Sequence, residues 1–141
     1  MTSLLPQSQQ KALAIAGAAL QKKASDVLIL DVQELTSIAD YFIVASGESE
    51  RQVKAIANNI GQEISREYRT TPLTEGAGTS TWILLDYGDI VVHVFKSDIR
   101  QFYGLEKMWS DAPRIPLPAL DQQGLSAPSV QALENTAPLT A

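Results

Sequence analysis

Up to Trp109 the chain alternates between apolar stretches of helical period and of strand length. Leu13, Ala16, Leu20 and Ala24 recur at helical spacing in an alanine-rich segment from about Ser8 to Ala24, and Lys22-Lys23 suit the C-terminal end of a helix dipole. Val27 to Val32 is a nearly continuous apolar run, which predicts a strand buried on both faces. After a connection over Glu34 to Ala39, Asp40 to Gly47 predicts a second strand ending in a turn. Ser49 opens the strongest helix. Ser49 and Gln52 stand at capping-box spacing, and Glu50-Lys54 is an i,i+4 pair in the favourable order. Val53, Ile56, Ala57, Ile60 and Ile64 form its apolar stripe, with Arg51, Asn58, Gln62, Glu63 and Arg66 away from it. Gly61 costs this helix about 1 kcal/mol relative to alanine, which close helix–sheet contact would explain. The helix is expected to end near Arg69, ahead of Thr71-Pro72.

Leu73 to Glu75 reads as a short edge strand after Pro72, and Glu75 to Ser80 as a flexible loop. Gly76-x-Gly78 lacks the third glycine, the Lys-Ser/Thr pair and the following helix of a phosphate-binding loop. The stretch from Thr81 to Trp109 holds both tryptophans and the single histidine, in two apolar strands hinged on Asp86-Tyr87-Gly88-Asp89. A two-residue Tyr87-Gly88 turn pairs Trp82 with His93 and Leu84 with Val91. A three-residue Asp86-Tyr87-Gly88 loop swaps the faces of the second strand. The first register segregates residue types better. It places Ile83, Leu85, Ile90, Val92 and Val94 in the core, and Trp82, Leu84, Val91 and His93 on a second face. Left open, that face is an apolar, aromatic partner-binding patch; covered, Trp82 is another core aromatic. Ser97 or Asp98 is expected to cap the next helix, with Gln101 completing a capping box after Asp98. Ile99, Phe102, Leu105 and Trp109 recur at helical intervals, Gly104 divides the segment, and Arg100, Glu106 and Lys107 read as its solvated side.

Composition narrows the classes of function. The 141 residues fit one domain, and 45% hydrophobic content suffices for a core. Sixteen acidic against eleven basic residues give a net charge of -5, which argues against a general nucleic-acid binder and suits a basic protein partner. No DNA binding is expected. Five of the seven prolines lie in residues 113–141 with few charges and no aromatic, so residues 115–141 are expected to be a disordered tail behind a 1–114 domain. There is no cysteine, hence no disulfide or thiolate site, and one histidine is too few for a metal centre. His93 has no nucleophile elbow to serve, and turn chemistry accounts for the Asp86/Asp89 pair. No catalytic residue, metal or cofactor is therefore expected. The N-terminal segment lacks the basic region of a secretory signal and a run long enough to span a bilayer, so a cytoplasmic protein is expected.

Several ordered pieces resemble the ribosomal silencing factor family, also called iojap-like proteins. In the first half these are Asp31-Val32, Ser37-Ile38-Ala39-Asp40-Tyr41-Phe42 and Ser46-Gly47-x-Ser49. In the second they are Glu75-Gly76, Trp82, Leu85-Asp86-Tyr87-Gly88-Asp89, Val91-Val92-His93-Val94-Phe95, Arg100-x-x-Tyr103-x-Leu105-Glu106-x-x-Trp109 and Asp111-Ala112-Pro113. The likeness spans about residues 8 to 115. It implies an α/β fold with a mixed sheet flanked by helices, in the order α-β-β-α-(β)-β-β-α, similar to nucleotidyltransferases but without their active site. It implies binding to the large ribosomal subunit through its ribosomal protein fourteen, steric block of small-subunit joining, and lower translation under nutrient limitation. It also implies a homodimer. Positions matching Trp82 and Tyr87 belong to the family's contact surface, and the strand register adds Leu84, Asp86 and His93. The competing expectations are a nucleotidyltransferase-type enzyme and a purely structural homodimer burying the same patch.

Overall fold

The computed structural model describes residues 6–117. In chain order these form α1 (Gln7–Gln21), β1 (Ser25–Asp31), β2 (Tyr41–Gly47), α2 (Glu50–Tyr68), β3 (Leu73–Glu75), β4 (Trp82–Asp86), β5 (Ile90–Lys96), α3 (Ser97–Tyr103) and α4 (Leu105–Met108). The strands make one mixed sheet in the order β1-β2-β5-β4-β3. Its one parallel pair is β2 with β5, bridged by a crossover that begins with α2; the other neighbours are antiparallel. This is the expected mixed sheet flanked by helices.

The sheet separates two cores. On one face Ile15 of α1 and Ile56, Ile60 and Ile64 of α2 close over Ile29, Ile43, Ile83, Ile90, Val92 and Val94. The apolar stripe read for α2 is the buried one, and Ser49 accepts a hydrogen bond from the Gln52 N–H at 3.1 Å. On the other face Leu30, Phe42, Val44, Val91 and Phe95 are covered by Ile99, Leu105 and Trp109. The core set read for the β4–β5 hairpin is buried as expected.

Several local expectations fail for physical reasons. α1 stops at Gln21 because Lys23 turns left-handed (φ 64°) and the Ala24 N–H returns to the Ala19 carbonyl, so the chain can enter β1. Of the expected stripe, Ala16 and Ala24 are buried and Leu13 and Leu20 pack partly buried against the same core, but the face is centred on Ala12, Ile15, Ala16 and Ala19; alanine lets α2 approach closely enough for Asn59 to donate to the Ala18 carbonyl at 2.8 Å. α3 follows β5 without a side-chain cap, and Asp98 binds the neighbouring Ile99 N–H instead of forming a box with Gln101. Phe102, expected on the apolar side, is 80% exposed. The loop expected to be flexible is a built turn. The Ser80 N–H returns to the Gly76 carbonyl, and a Cβ on Gly76 (φ +85°) would stand 2.1 Å from the Trp82 carbonyl oxygen.

β1 is an edge strand, but its outer rim is paired. The Asp31 N–H donates to the Pro113 carbonyl at 2.7 Å and the Ile115 N–H to the Ile29 carbonyl at 2.9 Å. Of the tail expected from residue 115, Ile115 and Leu117 pack against the α1/α2 core; residues 118–141 lie outside the described residues.

Gly61 does not touch the sheet. A Cβ there would meet nothing within 4 Å, so close packing against the sheet is not its reason. Gly61→Ala should therefore raise stability by about 0.5–1 kcal/mol. A higher urea midpoint at unchanged slope is the expected outcome; a lower midpoint would reveal a steric role.

Candidate partner-binding face

β4 alternates. Ile83 and Leu85 enter the α2 core, while Trp82, Leu84 and Asp86 face the other way. Their partners on β5 are Phe95, His93 and Val91, and across β3 Glu75 and Leu73 stand opposite Leu84 and Asp86. The pairing is two residues out from the expected one, because the turn centres on Gly88-Asp89. The Tyr87 N–H donates to the Ile90 carbonyl at 2.8 Å, Gly88 supplies φ +90°, and the Asp86 carboxylate accepts from the Gly88 N–H at 2.8 Å. A shift of two leaves every side chain on its face, so the separation of aliphatic from aromatic sets stands.

Trp82 is held from three sides. Its rings lie 4.7 Å from Phe95 and 4.9 Å from Tyr103, and the indole N–H donates to His93 Nδ1 at 3.2 Å. His93 is only 6% exposed, so it supports the indole from beneath rather than meeting solvent. Burial pulls its pKa down to about 4. The imidazole is neutral, with Nδ1 as acceptor and the proton on Nε2. Phe42 then carries the ring contacts on to Trp109.

The face is neither fully open nor fully closed. α3, α4 and Trp109 seal it over β2 and β5, leaving a strip along β4, β3 and the outer side of α3. Trp82, Leu84 and Asp86 are partly buried there, and Leu73, Phe102 and Tyr103 are exposed beside them. Tyr87 is not in this group. It packs against the α1/α2 core with the Lys11 ammonium 5.8 Å from its ring centre, Lys11 also pairs with Asp89 at 3.0 Å, and burial pushes the phenol up to about 12. The structure thus brings Trp82, Leu84 and Asp86 together, places His93 below them and turns Tyr87 to the opposite side. Leu73, Phe102 and Tyr103 escaped the sequence reading; the strip forms only when the edge strand and α3 meet at β4.

Arg100 is buried against the far end of the same face. Expected in solvent, it is 6% exposed. Its Nη1 donates to the Asp26 carbonyl and to Ser46 Oγ, both at 2.7 Å, while Nε donates to Glu106 at 3.1 Å. Asp26 lies in a bulge of β1 at φ 50°, which directs its carbonyl to the guanidinium. Burial raises the Glu106 pKa, but hydrogen bonding to Arg100 and the charges of Arg100 and Arg114 outweigh it, for a net lowering. The Gly104 break puts Glu106 six residues from Arg100, outside the i,i+4 spacing that a continuous helix would reveal.

The His93 shift has a definite sign. The folded pKa lies below the ordinary 6.5, so the unfolded chain binds more protons between pH 6.5 and about 4. Stability is complete above pH 6.5 and falls by about 3 kcal/mol toward pH 4, as protonation removes the acceptor for Trp82. His93→Gln should flatten that part of the denaturant-midpoint profile; an unchanged profile would show that His93 titrates in the usual range.

Comparison with known proteins agrees with this architecture. The family model described as "Ribosomal silencing factor during starvation" matches residues 5–138. The chain is 43% identical over 107 residues to "Ribosomal silencing factor RsfS" of Bacillus subtilis, covering 75% of this chain and 91% of that one. It is 29% identical to "Mitochondrial assembly of ribosomal large subunit protein 1" of Mus musculus, covering 64% of this chain and 41% of that one. A crystal structure from Chromobacterium violaceum superimposes with a TM-score of 0.71 at 35% identity, covering 74% of this chain and 88% of that one. The chain belongs to the ribosomal silencing factor family.

Proposed function

We propose that this protein binds the large ribosomal subunit through ribosomal protein fourteen, occludes the surface that receives the small subunit, and so represses translation when nutrients run short. The observation that carries the reading is the strip around Trp82, a large apolar side chain fixed by three aromatic neighbours yet open on one side. An indole immobilised before binding loses little entropy on docking, which favours a hot-spot role. Leu84 and Leu73 extend the apolar contact, and Asp86 and Glu75 give the strip an acidic rim suited to a basic ribosomal protein. His93 positions Trp82, and Tyr87 secures the hairpin end. Occlusion requires a fitted surface and no activated nucleophile, so the action proposed is non-catalytic, at the ribosome in the cytoplasm. Among the described residues no helix is long and apolar enough to cross a membrane.

The enzyme reading loses support from the engagement of its candidate carboxylates. Asp86 caps the turn and Asp89 pairs with Lys11, so each already has a structural partner. A homodimer is favoured by one specific feature, the exposed Phe102, Tyr103 and Met108 beside the strip, which would be shielded by a second copy in the free protein.

Cosedimentation with isolated large and small subunits, followed by a subunit-joining assay, tests the proposal. Trp82→Ala should weaken large-subunit binding by about 2 kcal/mol, roughly thirtyfold, and relieve the block to joining. A folded Trp82→Ala protein cosedimenting at the wild-type level would overturn the assignment of this face.

A further inference from the structure

We propose that the outward face of α2 binds the phosphate backbone of RNA. The net charge of -5 conceals how the cations are distributed: Arg51, Lys54 and Arg66, three of the eleven basic residues, lie along this face, Arg69 follows at the left-handed C-cap, and all are exposed. At 100° per residue the three helical cations share one side of α2 with Asn58, Gln62 and Ser65, while Glu63 and Glu67 fall on the opposite flank and Glu50 precedes them in the first turn. Arg66 shares its guanidinium with Glu63, but Arg51, Lys54 and Arg69 form no ion pair among the described residues. Such unneutralised charge, in an acidic protein, is explained by a partner of opposite sign.

A groove of about 820 Å³ runs beside this face, between α2 and the β3 edge. Its helix wall is Lys54, Asn58, Gln62 and Arg66, its far wall includes Thr71 and Thr74, and no carboxylate lines it. Every polar side chain in it can donate a hydrogen bond, as phosphate oxygens require. Gly61 also lines it, and the absent side chain leaves its space free. The helix thus tolerates a glycine that the packing does not require.

RNA fits better than an acidic protein. Cations stand toward both ends of α2, Arg51 and Lys54 at one and Arg66 about 22 Å from Arg51, with amide and hydroxyl donors between them, an arrangement that an extended polyanion can span. A protein interface would need an apolar anchor at its centre; the apolar residues on the groove floor, Ile83 and Leu85, are almost wholly buried, and α2 exposes no large apolar side chain here. The choice of RNA over other polyphosphates rests on the ribosomal reading above. The surface itself is separate from the Trp82 strip, since α2 and Trp82 lie on opposite faces of the sheet.

Fluorescence anisotropy of the full-length chain with a labelled RNA hairpin decides the matter without ribosomal subunits. With three cations engaged, raising KCl from about 50 to 200 mM should weaken binding about fortyfold. Arg51→Gln/Lys54→Gln/Arg66→Gln should lose at least about tenfold at the lower salt and flatten that dependence, with an unchanged circular dichroism spectrum. Trp82→Ala should bind the hairpin as the wild type does. Absent or salt-insensitive wild-type binding, an unaffected triple variant, or equal competition by polyglutamate would each overturn the proposal. Because the hairpin assay and cosedimentation are separate readouts, failure of one reading leaves the other measurable.

Discussion

β5 is the strand on which the molecule turns, because both of its faces must be dry at once. Ile90, Val92 and Val94 close against α1 and α2, while Val91, His93 and Phe95 close against the aromatic layer on the other side. Its parallel register with β2 joins the first half of the chain to the second. Any slip by one residue would put His93 among the isoleucines and expose Val92 to the indole side. Two sealed faces make that error expensive, so the pairing is sharply specified, and the positions of β4 and Trp82 follow from it.

The open strip depends on how far the second layer reaches. Arg100 decides this. By gripping the bulge carbonyl of Asp26, Ser46 and Glu106 together, it draws α3 and α4 over β2 and β5 and stops them short of β3. Tyr103 then lands on Trp82. A guanidinium buried with its donors engaged is orienting rather than merely solvated, because removing one partner would leave a charge without water. The partly open strip is therefore as much a product of the Arg100 cluster as of the hairpin that carries Trp82.

The two sides of the sheet present opposite chemistry. The β4–α3 side is apolar with an acidic rim, and the α2 side carries unpaired cations amid hydrogen-bond donors. Under the proposals above, the first side would meet basic protein and the second RNA phosphate. Net charge averages these sides and conceals the difference.

By itself the sequence determined the local elements and their faces. The α2 stripe, the capping serine, the Gly88 turn and the core half of the hairpin follow from period and from residue-specific backbone freedom, which act over a few neighbours. The resemblance supplied the family, and the family comparisons agree. Tertiary structure decided what covers what. Alternation puts Trp82 and His93 on a common face but cannot say that α3 stops between them and solvent, leaving one partly open and the other nearly dry. Arg100 reads as solvated because Asp26 and Ser46, the groups that bury it, are remote in the chain. Phe102 reads as a packing residue, yet the helix that carries it ends at the rim of the sheet. Burial is a property of distant segments meeting, and no local pattern encodes where that meeting ends.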